Sequence, residues 1–377
     1  MPSGARAIRV VNGAIFLSGE GASPKGSRPF LDRVSLRTFQ SERLFQSSPE
    51  QYEAFVGFVD PAKPVFVTRR ESSKEPPNLV LRTPGGARQL THFDDPAALL
   101  RTLTKRIVTY ERADGVKLFF TLYLPPGYKE GTTLPTIISA YPLDFADANA
   151  AGQVTESSQR FTMLWGPSPI YLALEGYAVL DDAAMPIVGA SKNGYDTMID
   201  QTIANAKAAI DKAVALGVTD RNRVGVMGRS HGALMTANLL AWSDLFRAGV
   251  ASSGAYNHTL RPFGYQFERR TLYQAPESYM KNSPLLHADR INEPLLLIHG
   301  ERDNNPGTVP LQSEKLYEAI RGTGGTTRLV MLPLEIHGYL ARESVEHALY
   351  ETIAWFDKYV KNAGPHPPAA LPSPLRR

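Results

Sequence analysis

Residues 223–234, Arg-Val-Gly-Val-Met-Gly-Arg-Ser-His-Gly-Ala-Leu, constrain the fold of this chain more than any other stretch. Val224 and Val226 read as a buried strand that ends at Gly228 and passes through Arg229, Ser230 and His231 straight into a helix. A serine on so sharp a corner is pushed out of the sheet edge with its hydroxyl exposed. Gly228 and Gly232 have a steric task, because side chains there would collide where strand and helix cross. The bare Gly-x-Ser-x-Gly pattern arises by chance in on the order of one chain in ten of this length, so its surroundings must decide.

Those surroundings alternate strand and helix. A tight-turn signal at Ala113-Asp-Gly115 joins runs 106–110 and 116–124 into a hairpin. Strands follow at 134–140 and 177–180, a helix at 197–216, the elbow strand, a helix at 231–242, and a strand at 247–251. Further strands fall at 293–298 and 327–332, with helices at 309–320 and 341–360. The order implies a mostly parallel sheet covered on both faces, an α/β-hydrolase fold with the serine corner as its nucleophile elbow. Residues 256–287 interrupt the alternation with aromatics, arginines and prolines. An insertion there sits above the strand ends, as a pocket wall or lid or as plain packing.

The first ninety-odd residues read as all-β: short alternating apolar runs at 14–17, 30–36, 52–58, 64–68 and 78–81 separated by Gly, Pro, Ser and Asp turns. Residues 32–38 with 41–47 are echoed by 78–83 with 87–93, an offset of about 45 residues that matches propeller blades. A small sandwich or meander is the alternative. The expected division is therefore 1–95 as about two blades, 96–363 as the hydrolase, and 364–377 as a Pro-rich, disordered tail.

A serine hydroxyl needs a base, itself oriented by an acid, and in this fold both come later in the chain, acid before base. After the strand at 295–300 comes Glu301-Arg-Asp303, and after the strand at 329–333 comes Glu335-Ile-His337. Each lies at the carboxyl edge that carries Ser230. Ser230, Asp303 and His337 are thus the candidate triad, with Glu301 and Asp182 as rival acids. His299 lies inside a strand and reads as a packed core histidine; His92, His258, His287, His347 and His366 lack a partner pattern. The His231 amide would face a developing oxyanion. No His-Gly-Gly-Gly loop offers a second amide, but the strand ending at Ala140 runs into Tyr141, which puts a phenol at the same edge. Loss of one such donor costs about 2.7–4 kcal/mol in other acyl-transfer sites.

A tyrosine in place of the glycine-rich loop resembles the prolyl oligopeptidase family (S9) of serine peptidases, and most of all its glutamyl endopeptidase branch. The shared stretches are 177–186 (Tyr-Ala-Val-Leu-Asp-Asp-Ala-Ala-Met-Pro), 235–241 with 243–248, 253–257, 299–308 (His-Gly-Glu-Arg-Asp-Asn-Asn-Pro-Gly-Thr) and 332–339. The likeness spans about residues 7–360. It implies Ser230 as nucleophile, Asp303 as orienting acid, His337 as base, Tyr141 and the His231 amide as oxyanion hole, and Asn305 as a holder of a substrate carbonyl. It also implies cleavage beside glutamate. The Arg269-Arg270 pair is a candidate for neutralising an acidic side chain, with a solvated face as the alternative. Arg229 and His231 replace the His and Tyr usual on either side of the nucleophile, and Ile336 replaces a smaller residue. Most of the propeller is missing, so the sequence reads either as a fragment or as a natural truncation. Exposed blade edges would then be open to homo-oligomer formation or aggregation.

Composition narrows the partners. Among 377 residues, 41 bases nearly balance 37 acids and form no dense basic run, so no nucleic-acid surface is indicated. There is no cysteine, which excludes disulfides, thiol catalysis and Cys-ligated zinc. Neither a metal nor a cofactor is called for. No signal peptide or membrane-length apolar run is visible, and the expected setting is a cytoplasmic enzyme acting on peptides. Two other readings stay open: an uncapped esterase of small substrates, and an inactive remnant serving as an interaction module.

Overall fold

The computed structural model describes residues 8–23, 26–189 and 194–364. The expected tail beyond Gly364, with His366, lies outside the described residues. The chain forms two compact units, Met1–Thr102 with Gln153–Met163, and Leu103–Gly152 with Leu164–Arg377. The division falls at Thr102 where composition suggested 95, and Gln153–Met163 joins the first unit although the sequence placed it in the hydrolase. Contacts made inside that unit account for the transfer. Arg160 donates to the Tyr52 hydroxyl at 2.7 Å and lies over its ring at 4.6 Å, and the Phe161 amide donates to Glu71 at 3.3 Å.

The first unit holds two antiparallel sheets. One runs β1 (Ala14–Gly19), β2 (Phe30–Ser35), β3 (Ser41–Gln46); the other runs β4 (Tyr52–Asp60), β5 (Val65–Glu71), β6 (Asn78–Thr83), β7 (Gly86–Gln89). The repeat noted in the sequence falls on β2–β3 and β6–β7, the terminal hairpin of each sheet. Leu31, Phe45 and Phe66 form the core, with Phe16, Phe55 and Phe58 against it.

The second unit is an eight-stranded sheet: β8 (Thr104–Glu111), β9 (Lys117–Leu124), β10 (Leu134–Phe145), β11 (Ala178–Val188), β12 (Thr219–Arg229), β13 (Ala248–Ser252), β14 (Leu295–Gly300) and β15 (Thr327–Leu332), in the order β15-β14-β13-β12-β10-β11-β9-β8. Only β9 runs opposite to the other seven strands. Alternate residues of each strand feed opposite faces, as the pleat requires. Ile138, Val226, Leu295 and Leu297 pack on one side under helices Met198–Ala215, His231–Trp242 and Leu311–Gly322. Ile137, Val250, Leu296 and Ile298 pack on the other against the helix Arg342–Phe356. This is the α/β-hydrolase sheet. Among the described residues no helix is long and apolar enough to cross a membrane.

One strand departs from expectation in a way that matters. β10 does not end at Ala140. It pairs with β12 only as far as Ser139↔Met227, yet stays on β11 through Phe145↔Val188. Beyond Ser139, therefore, the flank of β10 nearest the elbow has no ladder partner, and Tyr141 stands on that flank.

Candidate active site

The elbow strand β12 ends at Arg229, and the following helix starts at His231. Ser230 between them has φ 57° and ψ −116°, a conformation that costs a non-glycine residue of order 1–3 kcal/mol and persists only where its surroundings enforce it. Here they do. The Ser230 amide donates to Ser252 O on β13 at 2.8 Å. A Cβ on Gly228 would lie 2.5 Å from Gly232 C and O, and one on Gly232 would lie 2.5 Å from Ala140 O. Strand and helix thus cross at backbone contact. The Tyr141 ring borders the crossing, since a Cβ on Gly232 would sit 3.6 Å from its Cδ2. Tyr141 also meets the His231 ring edge-on at 5.8 Å. The first amides of a helix have no intrahelical acceptor, and that of His231 is the first in this helix.

Asp303 follows β14 and His337 follows β15. His337 Nδ1 lies 2.8 Å from Asp303 Oδ2. A carboxylate only accepts, so the Nδ1 proton belongs to the imidazole, and the neutral ring keeps its lone pair on Nε2. The Asp303 side chain is fully buried. Its Oδ1 accepts the Asn305 amide at 3.0 Å, and its Oδ2 also accepts the Thr308 hydroxyl at 3.1 Å and His299 Nε2 at 3.1 Å. The rival Glu301 faces the Leu334 amide at 3.4 Å, and Asp182 belongs to β11.

His299 is buried, as its strand position suggested, but it also touches the site. Its Nε2 faces Thr308 O at 2.6 Å and its Nδ1 faces Ser313 Oγ at 2.6 Å. A carbonyl can only accept, so Nε2 carries the proton and donates toward both Thr308 O and Asp303. Burial holds this imidazole below its ordinary range. It is a neutral bracket behind the carboxylate, and only the tertiary structure reveals that.

Thr308 links this pair to Ser230. Its hydroxyl stands 3.1 Å from His337 Nδ1, and it lines a cavity of about 230 Å³ together with Ser230, His231, His258, Arg261 and Asn305. The His337 loop also approaches the elbow, because a Cβ on Gly338 would lie 3.4 Å from Arg229 Nη1. Asn305 Oδ1 accepts the Gly307 amide at 3.2 Å, which leaves its NH₂ for the cavity.

The two arginines singled out in the sequence do not line this cavity. Arg270 is clamped by Glu268 at 2.6 Å and Asp196 at 2.8 Å. Arg269 is exposed and lies 5.6 Å from the Phe267 ring. The insertion does wall the cavity, through His258, Arg261 and Gln266. Arg261 had no pattern to mark it.

A strained serine just past the fifth strand of an α/β-hydrolase sheet, with an Asp–His pair on the loops after its last two strands, is the layout of the nucleophile-elbow class of hydrolases. Comparison with known proteins narrows the class. Residues 190–363 match the model of the prolyl oligopeptidase family, and residues 114–264 match that of the X-Pro dipeptidyl-peptidase (S15) family. Proteins described as probable chloroplastic glutamyl endopeptidases are 42% identical over 361 residues in Arabidopsis thaliana and 41% over 363 residues in rice (Oryza sativa subsp. japonica). Each match covers 92% of this chain, but only 38% and 39% of those relatives' length. Among solved structures, Pyrococcus horikoshii acylaminoacyl peptidase superposes with a TM-score of 0.67 at 22% identity, over 96% of this chain and 56% of its own. Porphyromonas gingivalis dipeptidyl peptidase 4 gives 0.69 at 18%, over 92% and 48%; both speak to the fold. The chain belongs to the prolyl oligopeptidase family of serine peptidases.

Proposed function

We propose that this chain hydrolyses peptide bonds through an acyl-enzyme on Ser230 and prefers an acidic residue before the scissile bond. The carrying observation is the 2.8 Å contact between His337 Nδ1 and Asp303, which leaves Nε2 basic on the loop beside a strained serine. His337 Nε2 takes the Ser230 proton as Oγ attacks the carbonyl carbon, then delivers that proton to the departing amine. Water attacks the ester in the second half by the same route, with His337 again as base, and Ser230 is regenerated. Asp303 keeps the imidazole oriented and stabilises its cation. The Tyr141 hydroxyl and the His231 amide donate to the oxyanion, and Asn305 holds a second substrate carbonyl. Ser230 Oγ would donate to Nε2 once substrate is bound, the contact such sites complete on binding.

The acidic preference rests on the relatives at 42% and 41% identity, which carry the name glutamyl endopeptidase, and on a cation in the cavity wall. Matched peptides with Glu, Ala or Phe before the scissile bond test both parts. Cleavage after Glu at the highest kcat/KM is expected. Equal rates would remove the preference, and turnover of p-nitrophenyl esters without any peptide cleavage would favour an acyl-hydrolase instead.

A further inference from the structure

We propose that the cavity beside Ser230 is a carboxylate pocket, in which Arg261 supplies the charge and the His231 and His258 rings supply N–H donors to an acidic substrate side chain. This rests on the reading of Ser230 as the nucleophile, and it moves recognition of the acid away from the Arg269-Arg270 pair.

Three observations carry it. Arg261 is half-buried in the cavity wall, and among the described residues no carboxylate pairs with it, whereas Arg270 spends its charge on Glu268 and Asp196. Its guanidinium lies against the chain at Gly307, where a Cβ would come within 2.3 Å of Nη1; the glycine makes room for the cation. The second observation is His258. It is 1% exposed, stacks on Tyr265 at 3.6 Å with the rings 5° from parallel, and has no hydrogen-bond partner on either ring nitrogen. The third is His231, 4% exposed and lacking a partner on Nε2. Buried polar atoms without partners are rare and demand an explanation. Two such imidazoles and an unpaired guanidinium around one cavity have a common explanation in an anionic acceptor.

Charge state agrees. Burial, reinforced by Arg261, pushes His231 down to about 4 and His258 well below the ordinary imidazole range. Near neutral pH each ring is neutral and offers one N–H, and the pocket has a single fixed positive charge matched to a single carboxylate. A basic side chain would face Arg261, and an apolar one would leave the donors unsatisfied. A cavity of about 230 Å³ admits a side chain of glutamate size.

The test uses binding and turnover together. Acetyl-Glu-amide and acetyl-Gln-amide are titrated by calorimetry into wild type, Arg261→Met and Arg261→Lys, and kcat/KM is measured on matched Glu and Gln peptides. Labelling by a small uncharged fluorophosphonate reports the nucleophile separately. The expected result is that wild type favours the Glu ligand, that Arg261→Met loses the preference by on the order of 10²-fold, and that Arg261→Lys restores part of it. A Glu preference undiminished in Arg261→Met would overturn this assignment while leaving the peptidase reading intact. Loss of Ser230 labelling in wild type would instead remove the nucleophile, and the binding arm would still decide whether the cavity holds a carboxylate. Equal binding of the two amides to wild type would refute the pocket outright.

Discussion

The strand–helix crossing at the elbow makes a quantitative prediction. Gly228→Ala places a methyl 2.5 Å from Gly232 C and O and 2.8 Å from its Cα. Ordinary contact begins at 3.4 Å, and every atom met is backbone, so no side chain can swing aside. Strand and helix must part by roughly 0.9 Å (3.4 less 2.5), at a cost of about 1–3 kcal/mol for overpacking. Ser230 lies between the two glycines and is carried with them. A displacement near 1 Å costs on the order of 10²-fold in a positioned site. Thermal unfolding and kcat/KM on a Glu peptide are the assays, with Gly322→Ala as control, since a methyl there meets nothing within 4 Å. Wild-type turnover and an unshifted melting temperature in Gly228→Ala would refute the claim that backbone contact at this crossing aims the serine.

Two further outcomes are expected. Asp303→Asn exchanges one acceptor oxygen for a donor at a carboxylate that receives His337, His299, Thr308 and the Asn305 amide. With an N–H facing Nδ1 the imidazole proton moves to Nε2, and kcat should fall on the order of 10⁴-fold through the wrong tautomer, as in other triads; a loss under tenfold would contradict its role. Glu293, 8% exposed and with Oε2 lacking a partner, is raised from 4.5 to about 7 by burial. A carboxyl raised in the folded state stabilises fully below its unfolded value of 4.5 and loses that contribution as pH rises through 7, so Glu293→Gln should match wild type at pH 4 and exceed it at pH 8 by up to about 3 kcal/mol. Equal urea stabilities at pH 8 would contradict this.

How much of this was visible in the sequence differs from residue to residue. Ser230, Asp303 and His337 stand out because each follows an apolar strand run, and strand ends of a parallel sheet converge on one edge. Asp303 and His337 do meet at 2.8 Å. The apolar run in the sequence ends before Tyr141, yet β10 continues to Phe145 on β11; propensity does not reveal that one flank of a strand loses its partner before the other. His299 read as core, and is buried, but its bond to Asp303 spans a loop whose path no periodicity encodes. The Arg269-Arg270 doublet drew attention because it is a doublet. Asp196, 74 residues earlier, closes on Arg270, and such long-range pairing leaves no local signal. Arg261 is the converse, a single arginine in an irregular insertion that matters only through what folds around it.

Catalysis through Ser230 requires that its Oγ form a covalent bond. Incubation with a fluorophosphonate, followed by intact-mass and peptide-mapping spectrometry, tests this most directly on wild type and Ser230→Ala. The prediction is one adduct per chain, on Ser230, and none in the variant. Label on another residue, or label that survives in Ser230→Ala, would contradict it.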